Sequence, residues 1–263
     1  NRKKYDLQSK QLKGTEKRDK YKVYGELINT YGYNLEPGSK ELTALNYYTN
    51  EEITIPLDPT QTPGENAQRY FAKYNKQKRT FEALTELIQE TADDIQYLES
   101  ISNALDIALS EADLAQIKEE LMQSGYIRRK HTKKKVKLTS KPMHYISSDG
   151  YDMYVGKNNL QNEELTFSFA NGNDWWFHAK GAPGSHVIVK SGGDELPDRT
   201  FEEAGRLAAY YSKNRGADKV EIDYIQKKHV KKPNGAKPGF VVYYTNYSLV
   251  IDSDISNIKN VQD

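Results

Sequence analysis

From Glu65 to Leu109 the chain runs forty-five residues without a proline or a glycine. Within that run Phe81, Leu84, Ile88, Thr91, Ile95, Leu98, Ser102, Leu105 and Leu109 recur at alternating intervals of three and four. That period belongs to a helix with a coiled-coil seam, which the polar Thr91 and Ser102 weaken. At 1.5 Å per residue such a helix spans roughly 65–70 Å. Its start is marked by Thr62-Pro63-Gly64-Glu65. Thr62 can cap, Pro63 suits the first helical position, and Glu65 completes a capping box. Ser110 with Asp113 marks a second start, opening a helix from Glu111 to about Ser124 that Gly125 ends.

A seam of this length needs a partner. Residues 1 to about 33 are polar, but Tyr24, Leu27, Ile28 and Tyr31 share one helical face. The spacing predicts one long helix here, ended by Gly32 and Pro37-Gly38 and paired antiparallel with residues 65–109. Between them, Leu42 to Tyr48 reads as a short helix and Ile53-Thr54-Ile55-Pro56-Leu57 as a small hairpin or extended insert, at a tip spanning about residues 34–62. A seam left exposed would permit dimerisation through the coiled coil; antiparallel self-pairing would forbid it. Hydrophobic content of 37% against 29% charged residues is low for one compact globule and favours an extended arm. The alternative is a compact helical bundle.

Charge is unevenly spread. Residues 80–125 hold eleven acidic side chains and one basic one, whereas residues 126–142 hold eight basic and no acidic ones. The second stretch, Arg128-Arg129-Lys130-His131-Thr132-Lys133-Lys134-Lys135-Val136-Lys137, reads as a linker, either a solvated tether or a phosphate-binding strip. The domain division is therefore an arm over 1–125, a basic linker over 126–142, and an α+β domain over 143–263. In the last, a hairpin over 144–155 turns at Asp149-Gly150. A helix is expected from Lys157 to Phe169, another capped by Asp198 through Asn214, and strands over 219–225, 240–244 and 248–251.

In that domain Asp174 to Lys190 holds both tryptophans and two of the five histidines around a Gly-Ala-Pro-Gly-Ser turn. It reads as a β-hairpin, with Gly181 and Gly184 supplying positive φ. His178 and His186 match no common zinc spacing, and a metal-dependent nuclease built on them is the weakest reading. Asp149, Asp152 and Asp174 sit where turn and cap residues sit. No glycine loop for nucleotides, serine-nucleophile elbow or zinc motif appears, and neither cofactor nor enzyme activity is expected. The chain has no cysteine and no apolar run of the ~20 residues that span a bilayer, so a cytoplasmic protein without membrane insertion is expected. The first residue is not Met, which suggests a fragment.

Trp176-Phe177-His178 through Lys180, Pro183-Gly184-Ser185-His186-Val187, together with Lys-Lys-Pro-x-Gly-x-Lys-Pro-Gly at 231–239, resembles the signature of the NFACT-R domain. Ile55 to Thr60 and Asn66 to Lys76 resemble the coiled-coil middle segment of bacterial NFACT proteins. The resemblance implies a ribosome-quality-control factor without the family's N-terminal domain. Such factors bind large ribosomal subunits obstructed by peptidyl-tRNA, recruit tRNA, and support addition of a C-terminal alanine tail. The alternative it carries is an adhesin for fibronectin or fibrinogen, active at the cell surface without a visible signal peptide. Contacts to rRNA or tRNA are then expected from Arg128, Arg129, Lys130, Lys133, Lys134 and Lys135 in the linker. The hairpin would add Trp176, His178, Lys180, Ser185 and His186. The second basic cluster would add Lys227, Lys228, Lys231, Lys232 and Lys237, with Tyr243, Tyr244 and Tyr247 able to stack on bases or to fill the core.

Overall fold

The computed structural model describes residues 1–128 and 140–261. Arg129, Lys130, Lys133, Lys134 and Lys135 lie outside them. The chain forms two compact units, Asn1–Ile95 and Gln96–Asp263. The division falls inside the long helix and not in the 126–142 linker.

In the first unit, α1 (Arg2–Gly14) and α2 (Asp19–Tyr31) replace the single helix expected over 1–33. A 3-10 turn over Glu16–Arg18 separates them. The long helix α3 (Pro63–Ile107) starts at the capping box, with Thr62 N donating to Glu65 Oε2 at 2.7 Å and Glu65 N to Thr62 Oγ1 at 3.3 Å. α1 and α2 run antiparallel to it. Thr91 donates to Gln8 at 3.0 Å, the Arg18 guanidinium lies 4.0 Å over the Phe81 ring, and Tyr21 stacks on Tyr70 at 6.0 Å. Residue numbers fall on one strand of the pair as they rise on the other. Leu42 to Tyr48 is not a helix. β1 (Glu41–Asn46) pairs antiparallel with β2 (Glu51–Pro56), and every second residue of β1 is buried. Leu42, Ala44, Ile55 and Leu57 close a small core with Leu27, Ile28, Ala67 and Tyr70. Alternation, not helical spacing, is what places Leu42 and Ala44 on one face.

Within the second unit the buried face of α3 changes. Tyr97, Ile101 and Ala104 point inward, packing with Ile117 of α4 (Glu111–Gln123), while Ser102, Leu105 and Leu109 are exposed. The heptad phase read from the sequence holds through Thr91 and then gives way. α4 begins at the expected Ser110–Asp113 box.

The rest of this unit is a seven-stranded antiparallel sheet, built from β3 (Met143–Ile146), β4 (Asp152–Val155), β5 (Trp175–Ala179), β6 (Val187–Val189), β7 (Val220–Gln226), β8 (Tyr247–Ile251) and β9 (Lys259–Asn260) in the order β8-β7-β5-β6-β4-β3-β9. α5 (Asn159–Glu164) continues as a π-helical turn over Leu165–Phe169, and α6 (Asp198–Tyr210) is shorter than expected, with Pro197 and not Asp198 at its cap. Residues 240–244 form no strand; Val242 makes only an isolated bridge to Lys231. Side chains alternate across β5. Phe177 and Ala179 face the core shared with Ala204, Leu207 and Ala208 of α6. Trp176 faces a second core with Leu165, Ile188, Ile225 and Val230.

Candidate nucleic-acid interface

The hairpin forms as read, with Trp175 opposite Val189, Trp176 opposite Ile188 and Phe177 opposite Val187. Gly181 has φ of 64°, but Gly184 does not take positive φ. Gly184 is needed for another reason: it bridges to Ser212, whose Cβ would lie 3.0 Å from an added methyl.

Trp176, Ser185 and His186 are buried and cannot present themselves to a polymer. Their expected role as direct contacts is therefore corrected to support of the turn. The Trp176 ring is stacked with His178 at 5.6 Å, edge-on to His186 at 5.1 Å, and tilted against Tyr243 at 4.9 Å. His186 Nδ1 lies 2.8 Å from the buried Thr166 hydroxyl, and its backbone N–H donates to Asn162 Oδ1 at 2.9 Å. Burial, then the neighbouring His178, pushes the His186 imidazole well below its ordinary pKa. Burial likewise lowers His178 to about 4, although Asp223 and the Gly184 backbone pull upward. Both rings are neutral near pH 7, so neither supplies a cation for phosphate. Among the described residues no group of three or more His, Cys, Asp or Glu side chains is placed to hold a metal ion. Asp149 accepts from Thr200 at 2.7 Å, Asp152 faces His144 at 2.6 Å, and Asp174 binds Lys190 at 2.5 Å and the Asn171 N–H at 2.7 Å. All three are occupied in holding turns and strands.

The cations divide into two groups. Lys228, Lys231 and Arg128 are exposed, and Lys180 is exposed in a pair with Glu221. A pair so open to water is worth little, so Lys180 remains available to a phosphate. Lys227 is half-buried, with its ammonium 5.9 Å from the Phe167 ring. The other two have partners within the fold, Lys232 in an exposed pair. Lys232 Nζ lies 2.7 Å from Glu163, and Lys237 Nζ lies 3.1 Å from the Tyr126 hydroxyl and 4.5 Å over the Tyr97 ring. The Gly239 N–H also donates to Glu163, at 3.2 Å. Glu163 thus straps the Lys-rich loop to α5. Gly239 has φ of 75°, and a Cβ there would meet the Asn159 backbone at 3.1 Å, so glycine is required twice over. Of the three tyrosines, Tyr243 fills the core and donates to Asp223 at 2.9 Å, whereas Tyr244 is 75% exposed and offers a face to a base.

Several supporting residues had no motif to announce them. Asn158 caps α5, Asn159 donates to Ser100 and to buried Glu120 at 2.8 Å each, and Asn162 holds the His186 backbone. Their signal was compositional: four amide side chains in Asn158-Asn159-Leu160-Gln161-Asn162, where an ordinary amphipathic helix would bury aliphatics.

Residues 1–140 match the model of the NFACT N-terminal and middle domains, and residues 141–244 match that of the NFACT protein RNA binding domain. The chain belongs to the NFACT family. Among similar NFACT proteins is the Rqc2 homolog RqcH of Streptococcus pneumoniae strain D39, 42% identical over 263 residues, which are 100% of this chain and 47% of that protein. The Rqc2 homolog RqcH of Bacillus subtilis strain 168 is 40% identical over 256 residues, covering 95% of this chain and 44% of that one. This NFACT chain therefore spans about half the length of these relatives. A solved structure of the C-terminal part of the fibronectin/fibrinogen-binding protein from Streptococcus suis is 38% identical. It superposes with a TM-score of 0.74, covering 98% of this chain and 92% of that one. No described helix of this NFACT protein is long and apolar enough to cross a membrane.

Proposed function

We propose that this chain works in ribosome quality control in the cytoplasm. It binds the large ribosomal subunit, contacting rRNA and tRNA, and supports C-terminal alanine tailing of stalled nascent chains. The observation that carries this reading is the match of residues 141–244 to the family's RNA-binding domain, on a chain 40–42% identical to proteins named RqcH. The exposed lysines are consistent with it. Lys180, Lys228, Lys231 and Arg128 meet phosphates; exposed Tyr244 stacks on a base. Buried His186 and Trp176, with half-buried His178, hold the hairpin in shape. Binding, not catalysis, is the role assigned to every residue named.

A second reading, binding of fibronectin or fibrinogen, is favoured by the likeness to the Streptococcus suis protein of that name. The two separate in a paired assay. Fluorescently labelled tRNA, large-subunit rRNA and fibronectin are each titrated with the chain at low salt. Saturable RNA binding that Lys228→Gln with Lys231→Gln weakens supports the first reading. Saturable fibronectin binding with no RNA binding replaces it with the second.

A further inference from the structure

Trp175 and Trp176 are neighbours on β5, yet they face opposite sides of the sheet. On the Trp175 side lies a cleft of about 420 Å3, within the roughly 300–1,000 Å3 range of ligand sites. Its walls are four aromatic rings. Trp175 stands edge-on to Phe201 at 4.9 Å and tilted to Tyr224 at 5.9 Å, and Tyr224 stacks on Tyr247 at 5.6 Å. Tyr247 is 60% exposed.

The rim carries Asp194, Glu195 and Asp198, all exposed; among the described residues none of the three forms an ion pair. Among the described residues no lysine or arginine lines the cleft. The Tyr224 hydroxyl is pushed up by burial, then by Tyr247 and by the Asp198 carboxylate, as expected where negative charge is already unfavourable. An anion is repelled here, so this surface is not an extension of the basic one.

Aromatic faces and carboxylates together select a cation. The flat, weakly hydrated guanidinium fits both: it stacks on rings and forks onto carboxylates, which a compact ammonium does less well. We propose that this cleft binds an arginine side chain presented by a peptide segment of a partner protein. The guanidinium lies against Trp175 and Tyr247, and Asp198 with the Asp194–Glu195 pair supplies the counter-charge. The domain then engages RNA with one side of its sheet and a basic protein segment with the other.

The test uses the whole chain and a synthetic peptide of alternating glycine and arginine, read by tryptophan fluorescence. Trp176 is buried away from the cleft, so a change reports on Trp175, and Trp175→Phe removes it. The expected result is saturable binding, weakened about tenfold when citrulline replaces arginine and about tenfold by Tyr247→Ala or Asp198→Asn. Affinity for rRNA stays unchanged in Asp198→Asn. Asp194→Asn with Glu195→Gln, on an exposed loop, gives the same reading if Tyr247→Ala perturbs the fold. Equal affinity for the citrulline peptide, no binding at all, or binding that all these variants leave intact overturns the proposal.

Discussion

His178 on β5 stands opposite Asp223 on β7, and burial, not the carboxylate, sets the charge of the imidazole. Asp223 is already engaged, accepting from Tyr243 at 2.9 Å and Ser248 at 2.6 Å. Asp223 still favours a proton on His178, but desolvation of the ring outweighs that pull, and the ring stays neutral.

That arrangement makes stability depend on pH. The folded His178 pKa, about 4, lies below the unfolded value of about 6.5, so the unfolded chain binds more protons between those values. The stabilisation is complete above pH 6.5 and is lost as pH falls toward 4. On the order of 1–3 kcal/mol is at stake, after discount for partial exposure. Glu120, raised by burial, pulls in the opposite direction over acidic pH, so the comparison is made against His178→Gln. Urea midpoints at pH 7.5 and pH 5 are expected to differ more for the wild type than for the variant. Equal differences would remove His178 from the account.

Glu163 holds the Lys-rich loop through Lys232 and the Gly239 N–H. Replacing it with alanine costs about 1 kcal/mol, since a half-exposed pair is weak and one backbone donor loses its partner. The sharper readout is amide exchange. Gly239 is expected to lose protection in Glu163→Ala while the β5–β7 amides keep theirs. Unchanged protection at Gly239 would show that the loop is held by something else.

Two glycines should respond in opposite senses to alanine. At Gly156 an added Cβ would sit 2.2 Å from Asn162 Oδ1 and 3.0 Å from its backbone nitrogen, which cannot retreat. A loss of about 2–4 kcal/mol is expected, because Asn162 also positions the His186 backbone. Gly64, in the first turn of α3, has nothing within 4 Å, and alanine there is neutral or stabilising by up to about 1 kcal/mol. Thermal melts of the two variants decide; a Gly156→Ala protein as stable as the wild type would contradict the packing described around Asn162.

Much of this was legible in advance because local chemistry fixes it. The Thr62–Glu65 and Ser110–Asp113 boxes lie within four residues of sequence, and the Asp149-Gly150 turn and the 175–189 hairpin are equally local. What failed depended on partners distant in sequence. The inward face of α3 shifts after Ile95, where Tyr97 and Ile101 meet α4 in place of α1. From sequence alone β1 reads as helix, because Leu42 and Leu45 have helical spacing, whereas the buried positions are Leu42 and Ala44. In the candidate interface the residue types were visible but their exposure was not. Trp176, Ser185 and His186 belong to the same motif as Lys180, yet only Lys180 reaches solvent.

The most direct measurement is co-sedimentation of the chain with purified large ribosomal subunits across a salt series. Each neutralised phosphate contributes a slope of about −0.7 to −0.9 in log K against log salt. The expected result is tight binding at low salt that falls steeply as salt rises. Neutralising Lys228 and Lys231 reduces the slope by about two, and neutralising Lys133, Lys134 and Lys135 reduces it further. No binding at low salt, or binding indifferent to both salt and these lysines, would contradict the account.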